Sequence, residues 1–139
     1  MIMQNFSNNP SRASKDVIMR RDDYQLLVSY VNGSQRKSAF DQRNAEELQK
    51  ELKRAIIVDA SDFPPDVIRL NSKVHVQPEG KRKVMEITLV TPAMADISKG
   101  KVSVMAPIGT ALIGYREGQK VKWNVPSGPT TFTIVKVEN

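Results

Sequence analysis

The sequence predicts an α+β fold, on three observations. Apolar residues recur at three- and four-residue steps in the first half, and alternating β-branched residues dominate the second half. Two consecutive prolines, Pro64-Pro65, separate the two patterns. With 139 residues, 40% of them hydrophobic, the chain can bury one medium-sized core. The pattern predicts a short helical hairpin over residues 16–63 and a small β domain over 64–139. Residues 1–15, rich in Asn and Ser and without apolar periodicity, are expected to be a disordered tail.

Taken in order, Val17-Ile18-Met19 either pairs as a short strand or leads into the first helix. From Arg21, Tyr24, Leu27 and Val31 share one helical face. Asp22 and Asp23 sit where a helix N-terminus favours negative charge, and Asn32-Gly33 is a stop signal. The second helix is marked by Ala45, Leu48, Leu52 and Ala55-Ile56. Asn44 as N-cap with Glu47 three residues on forms a capping box, and Glu46 and Glu47 both fall within pairing distance of Lys50. Each helix should run to roughly 10–16 residues, so the hairpin reaches about 15–25 Å at 1.5 Å per residue. Asp62-Phe63-Pro64-Pro65-Asp66 ends the helices, because consecutive prolines forbid helical continuation.

The remaining elements read as an antiparallel sheet. Strands are predicted at Lys73–Gln77, at Lys83–Thr91 (KVMEITLVT, the central one) and at Lys101–Met105. Lys120–Val125 and Thr131–Val137 follow, joined by the turn Pro126-Ser127-Gly128-Pro129. Between them, Pro107–Gly114 breaks the alternation. Ala111, Leu112 and Ile113 suit a short helix closed by Gly114.

Composition excludes several kinds of chemistry. There is no Cys, hence no disulfide or thiolate metal site, which fits a cytoplasmic chain. No apolar run reaches the 18 residues of a membrane span, and the N-terminus lacks the apolar centre of a signal peptide. The glycines at 109, 114 and 118 are followed by no Lys-Ser/Thr, so they serve turns rather than a phosphate cradle. The single histidine, His75, falls opposite Val74 and Val76 as a surface strand residue. Trp123 falls in a strand as a packing residue. Asp22-Asp23 and Glu46-Glu47 are neighbours about 100° apart on a helix, so neither pair converges on a metal. No catalytic residue, metal site or cofactor is expected, and the chain is read as a non-enzyme. The net charge of +6 is concentrated at 66–139, where 11 basic residues face 6 acidic ones. Such a surface suits an acidic protein partner or weak nucleic-acid contact.

Three stretches carry a resemblance: PPDVIRLNSKVHV (64–76), SVMAPIGTALIGYREGQKVKW (103–123) and TFTIVKVE (131–138). They resemble the regulators of nucleoside diphosphate kinase (Rnk) and, through them, the GreA/GreB transcript-cleavage factors of bacterial RNA polymerase. The resemblance covers residues 48–139. It implies an antiparallel coiled coil followed by a C-terminal domain of FKBP-like fold. It also implies a cytoplasmic monomer whose C-terminal domain docks at the rim of the polymerase secondary channel. The implied docking residues are Ala106, Pro107, Ile108, Gly109 and Arg116, with Ala106 standing where the family has a polar residue before the proline.

One departure bears on mechanism. Gre-type tips hold a magnesium with two acids in a stretch resembling DLKENAEY; here the matching stretch is FDQRNAEE, Phe40 to Glu47. Arg43 stands in place of the second acid, and Asp41 is the remaining carboxylate. With Arg36 and Lys37 the tip loop is positive, a poor trap for a cation that wants several oxygen ligands. The expectation is therefore a regulator that occupies the channel entrance, competes with Gre-type factors and does not stimulate cleavage. The alternative is a Gre-like cleavage stimulator using Asp41. A prolyl isomerase of FKBP-like fold would need an aromatic-lined pocket, and this half offers few aromatics: Tyr115, Trp123 and Phe132.

Overall fold

Strand β3, Lys73–Pro78, is the middle strand of a five-stranded sheet, with two strands on either side. In the computed structural model, which describes residues 17–33, 39–125 and 128–139, the sheet order is β5-β4-β3-β7-β6. Here β4 is Met85–Val90, β5 is Lys101–Ser103, β6 is Lys120–Val125 and β7 is Gly128–Glu138. The expected tail, the loop at 34–38 and the turn residues Pro126-Ser127 lie outside the described residues.

Two sheet expectations need correction. The stretch at 83–91 is an interior strand but not the middle one: it begins at Met85 and lies between β3 and β5. The sheet is also mixed, since β5 runs parallel to β4. The segment between them crosses over through two 3₁₀ turns, so β5 returns in the same direction as β4. Alternation does place Val74, Val76, Ile87 and Leu89 on the buried face, as period-2 patterning requires. The β3–β7 pairing carries a bulge: between His75 and Val76 the register skips Val135 of β7.

The N-terminal part begins with strand β1, Val17–Arg20. Helix α1, Arg21–Gly33, and helix α2, Ala39–Lys53, follow, and then strand β2, Ala55–Val58. Thirteen and fifteen residues give helices of about 20 and 22 Å. Asp22 lies in the first turn of α1 and is chelated by Arg20 through two contacts of 3.0 and 2.7 Å. That guanidinium holds the Asp22 carboxyl below its ordinary range.

Two helix expectations also fail. Ala55-Ile56 does not continue α2. The run Ala55-Ile56-Ile57-Val58 forms β2, pairing in parallel with β1 in the register Val17↔Ala55 through Arg20↔Val58. Three β-branched side chains in succession favour that extended pairing over another helical turn. The capping box at Asn44 is absent because α2 starts five residues earlier, leaving Asn44 in its interior. Lys50 meets Glu47 at 3.4 Å.

One apolar core runs through both parts of the chain. Leu27 and Val31 of α1 and Leu48 and Leu52 of α2 join the same cluster as Val74, Leu89 and Ile134 of the sheet. Each fully buried Leu or Ile contributes about 1.5–3 kcal/mol. A bidentate ion pair reinforces the junction. Arg69 donates from Nε and an Nη to the two oxygens of Asp23, both at 3.0 Å, with the Asp23 carboxylate nearly buried. Among the described residues no helix is long and apolar enough to cross a membrane.

Candidate docking surface and its adjoining cleft

The segment from Ser103 to Gly114 is shaped by three close backbone approaches. Chain reversal after β5 is fixed by Ala106 N–H donating to the Ser103 carbonyl (3.0 Å) and Met105 N–H to the Ser103 hydroxyl (3.0 Å). Helix α3, Pro107–Leu112, then starts with Pro107 in its first turn, where the missing N–H costs nothing. The buried Thr110 hydroxyl donates to the Val104 carbonyl at 2.9 Å. A Cβ on Gly109 would stand 2.2 Å from the Ser103 carbonyl oxygen, so only glycine lets α3 lie this close to the end of β5. Gly114 has φ +85°, and its Cβ would stand 2.3 Å from a methyl of Val17. Its carbonyl accepts from Ile18 N–H (3.0 Å), and its own N–H donates to Ile68 O (2.9 Å). Gly114 is thus the point at which β1 seats on the C-terminal part.

This geometry sorts the five sequence-predicted docking residues. Ile108 is 8% exposed and Gly109 is buried, so both shape α3 from within. Ala106, Pro107 and Arg116 are half-buried and reach the surface. Arg116 lies 3.9 Å from Asp66, with both side chains substantially exposed. Of the predicted tip, Arg36 and Lys37 lie outside the described residues, and so does the side chain of Asp41. Arg43 is exposed on α2. Among the described residues no group of three or more His, Asp or Glu is placed to hold a metal.

His75 sits on the outer face of central β3 and meets Glu138 Oε2 at 2.7 Å, with Glu86 at 3.9 Å. That contact, first among the causes, holds the Glu138 carboxyl below its ordinary range.

A cleft of about 680 Å³ opens beside Pro107, a feature the sequence pattern did not reveal. Its helical wall is Arg43, Glu47 and Glu51, at i, i+4 steps on one face of α2, continued by Arg54 just past the helix end. Pro107 and Ala111 of α3 and Lys120 to Trp123 of β6 form the rest, with Tyr115 between. Tyr115 donates to Glu51 at 3.2 Å, and Arg54 meets Glu51 at 3.4 Å. Burial raises the Glu51 carboxyl above its usual range and also raises the Tyr115 hydroxyl. Trp123 packs tilted on Phe132, ring centres 5.3 Å apart, and its buried Nε1–H has no hydrogen-bond partner among the described residues. The one available sequence signal was the i, i+4 spacing of Arg43, Glu47 and Glu51. Nothing in the pattern showed that this face meets β6.

Comparison with known proteins follows the same outline. Residues 63–139 match the family model "Transcription elongation factor, GreA/GreB, C-term". The regulator of nucleoside diphosphate kinase of Escherichia coli K12 is 39% identical over 66% of this chain and 67% of its own. Transcription elongation factor GreA of Clostridium botulinum is 34% identical over 72% of this chain, and the match spans 62% of that protein's length. Among solved structures, a prokaryotic GreA/GreB elongation factor from Nitrosomonas europaea superposes with TM-score 0.73 at 30% identity, covering 89% of this chain and 98% of that one. A matched C-terminal half, a relative sharing two-fifths of aligned residues and a common curled sheet agree: the chain belongs to the GreA/GreB transcription elongation factor family.

Proposed function

We propose that this protein is a regulator of transcription elongation that binds bacterial RNA polymerase at the rim of the secondary channel and competes there with Gre-type factors. It does so without catalysing a reaction and without stimulating transcript cleavage. On this reading residues 64–139 form the docking unit, of FKBP-like type, and residues 16–63 form the arm, a short antiparallel hairpin. The protein acts as a cytoplasmic monomer, and the exposed run Lys81-Arg82-Lys83 adds electrostatic attraction to an acidic partner or to nucleic acid.

The observation that carries the reading is the Ala106-Pro107 step. A rigid apolar step is held at the surface by a mostly buried helix, tied back to the fold by the Thr110 hydroxyl on the Val104 carbonyl. Rigid, pre-formed apolar contacts are what a docking surface requires. The absence of cleavage rests on the tip sequence, where Arg43 follows Asp41 two residues on and Arg36 and Lys37 precede it. A cation beside a single carboxylate opposes magnesium capture. Helices of 13 and 15 residues also make a short arm.

The test is competition binding to polymerase core enzyme against a Gre-type factor. Pro107→Asp should weaken binding at least tenfold while leaving the circular dichroism spectrum intact. Unchanged affinity refutes the surface. Backtracked complexes supplied with magnesium test the second part: RNA shortening that disappears in Asp41→Ala would establish the cleavage-stimulating alternative instead.

A further inference from the structure

Strand β6 ends the sheet and pairs along one side, with β7. Ile134 N–H donates to the Gln119 carbonyl at 2.8 Å, which fixes the parity of the strand. Val121, Trp123 and Val125 turn their backbone groups toward β7, while Lys120, Lys122 and Asn124 turn theirs outward, off the ladder. Successive side chains on a strand point to opposite faces, yet Lys120, Val121, Lys122 and Trp123 all line the cleft. Four consecutive residues can share one cleft when it runs along the strand's edge rather than over a face. The cleft is therefore a slot between the open edge of β6 and one face of α2.

We propose that this slot takes an extended acidic segment of a partner protein, which adds to the sheet as a sixth strand beside β6. Backbone pairing supplies the affinity in such an addition, and side chains at alternate positions supply the choice of partner. Charge names the occupant. Among the described residues Arg43 and Lys122 have no ion-pair partner, and Lys120 meets Glu79 at 3.9 Å with both side chains exposed. The carboxylates of the slot are engaged, Glu47 with Lys50 and Glu51 with Arg54 and Tyr115. A second copy of this chain is disfavoured, because antiparallel β6 strands would bring Lys120 and Lys122 against the lysines of the twin. Like charges across a strand pair are destabilising, and edge lysines protect sheets from self-association by that means. The same lysines favour a strand carrying Glu or Asp at alternate positions.

The probe is a seven-residue peptide alternating valine and glutamate, blocked at both ends, with its valine–lysine counterpart as control. Each is titrated into the isotope-labelled full chain without polymerase, so the outcome is independent of the docking reading above. The single tryptophan gives one indole signal to follow. The glutamate peptide should shift that signal and slow amide exchange at Lys120, Lys122 and Asn124 at least tenfold. The lysine peptide should do neither, and K120E/K122E should reverse the preference. Methylating alternate backbone nitrogens of the glutamate peptide should abolish protection, a control that leaves the protein untouched. The proposal is overturned by unprotected β6 amides at millimolar peptide, by equal binding of the lysine peptide or by equal binding of the methylated one. It is also overturned by a peptide-free dimer that protects the same amides.

Discussion

Replacing three glycines one at a time separates the two reasons for which this chain uses glycine. Gly118 has φ +94° and open space around its Cβ position. Gly118→Ala therefore meets backbone strain alone and should cost about 1–2 kcal/mol. Gly109 lies within α3, and its added methyl would meet a backbone carbonyl at 2.2 Å. Gly109→Ala is a purely steric insult of about 1–3 kcal/mol or somewhat more, since a carbonyl cannot rotate aside. Gly114 combines φ +85° with a methyl of Val17 at 2.3 Å, so Gly114→Ala should cost about 2–5 kcal/mol. Urea unfolding followed by circular dichroism reads each value, provided the slope stays constant across the series. A second substitution tests the contact itself. Val17→Ala in the native background removes fully buried apolar surface and should cost about 1–3 kcal/mol. In the Gly114→Ala background the same change opens room for the new methyl, so its cost should shrink by about 1–2 kcal/mol. If Gly114→Ala matches Gly118→Ala, or the two substitutions at 17 and 114 add without coupling, then β1 does not seat on Gly114 as described.

Further predictions concern the charged groups. Asp23→Ala strands the Arg69 guanidinium and should cost about 2–3 kcal/mol, the low side for a broken buried pair because Arg69 keeps some water; the denaturation midpoint reads it, and a shift below 0.5 kcal/mol would show the pair to be idle. Thr110→Val leaves the Val104 carbonyl without its partner in a buried site and should cost about 1–3 kcal/mol by the same assay. Glu51 and Glu138 should bend the pH–stability profile in opposite directions. The Glu51 carboxyl is raised by burial, so its folded form holds the proton more tightly. Its contribution is full below the ordinary carboxylate value and is lost as pH rises through the raised one, and Glu51→Gln should remove that loss. The Glu138 carboxyl is lowered by its bond to His75, so its contribution is present above the ordinary value and lost as pH falls through the lowered one. Glu138→Gln should flatten the acid limb, and an unchanged limb would count against that pairing.

Much of the fold is legible in local pattern. Leu27 and Val31, Leu48 and Leu52, and Val74 and Val76 each announce a face by spacing alone, and each is buried where that spacing puts it. The short helix after Pro107 is legible too, because proline opens it and Gly114 closes it. Misreadings cluster where a residue's state depends on a distant partner. Ala55-Ile56 fits a helical stripe as well as a strand, and it becomes β2 because Val17 and Ile18 lie alongside it. The stretch at 83–91 has the longest apolar alternation and is paired on both edges, yet it is not the middle strand, because how many strands lie on each side is not encoded in a single strand. At the candidate surface, Ile108 and Gly109 sit in the most recognisable stretch and are buried in the free chain, Gly109 against the end of β5.

By itself the sequence determined the buried faces of Leu27, Leu48 and Val74, the exclusion of thiol chemistry and the basic bias of the second half, all properties of composition and short-range spacing. Tertiary structure decided the seating of β1 on Gly114, the Asp23–Arg69 clasp and the slot between α2 and β6. Each of these joins residues tens of positions apart. Hydrophobic periodicity tells a side chain which way to face, but only the closed core sets which other side chain it will meet.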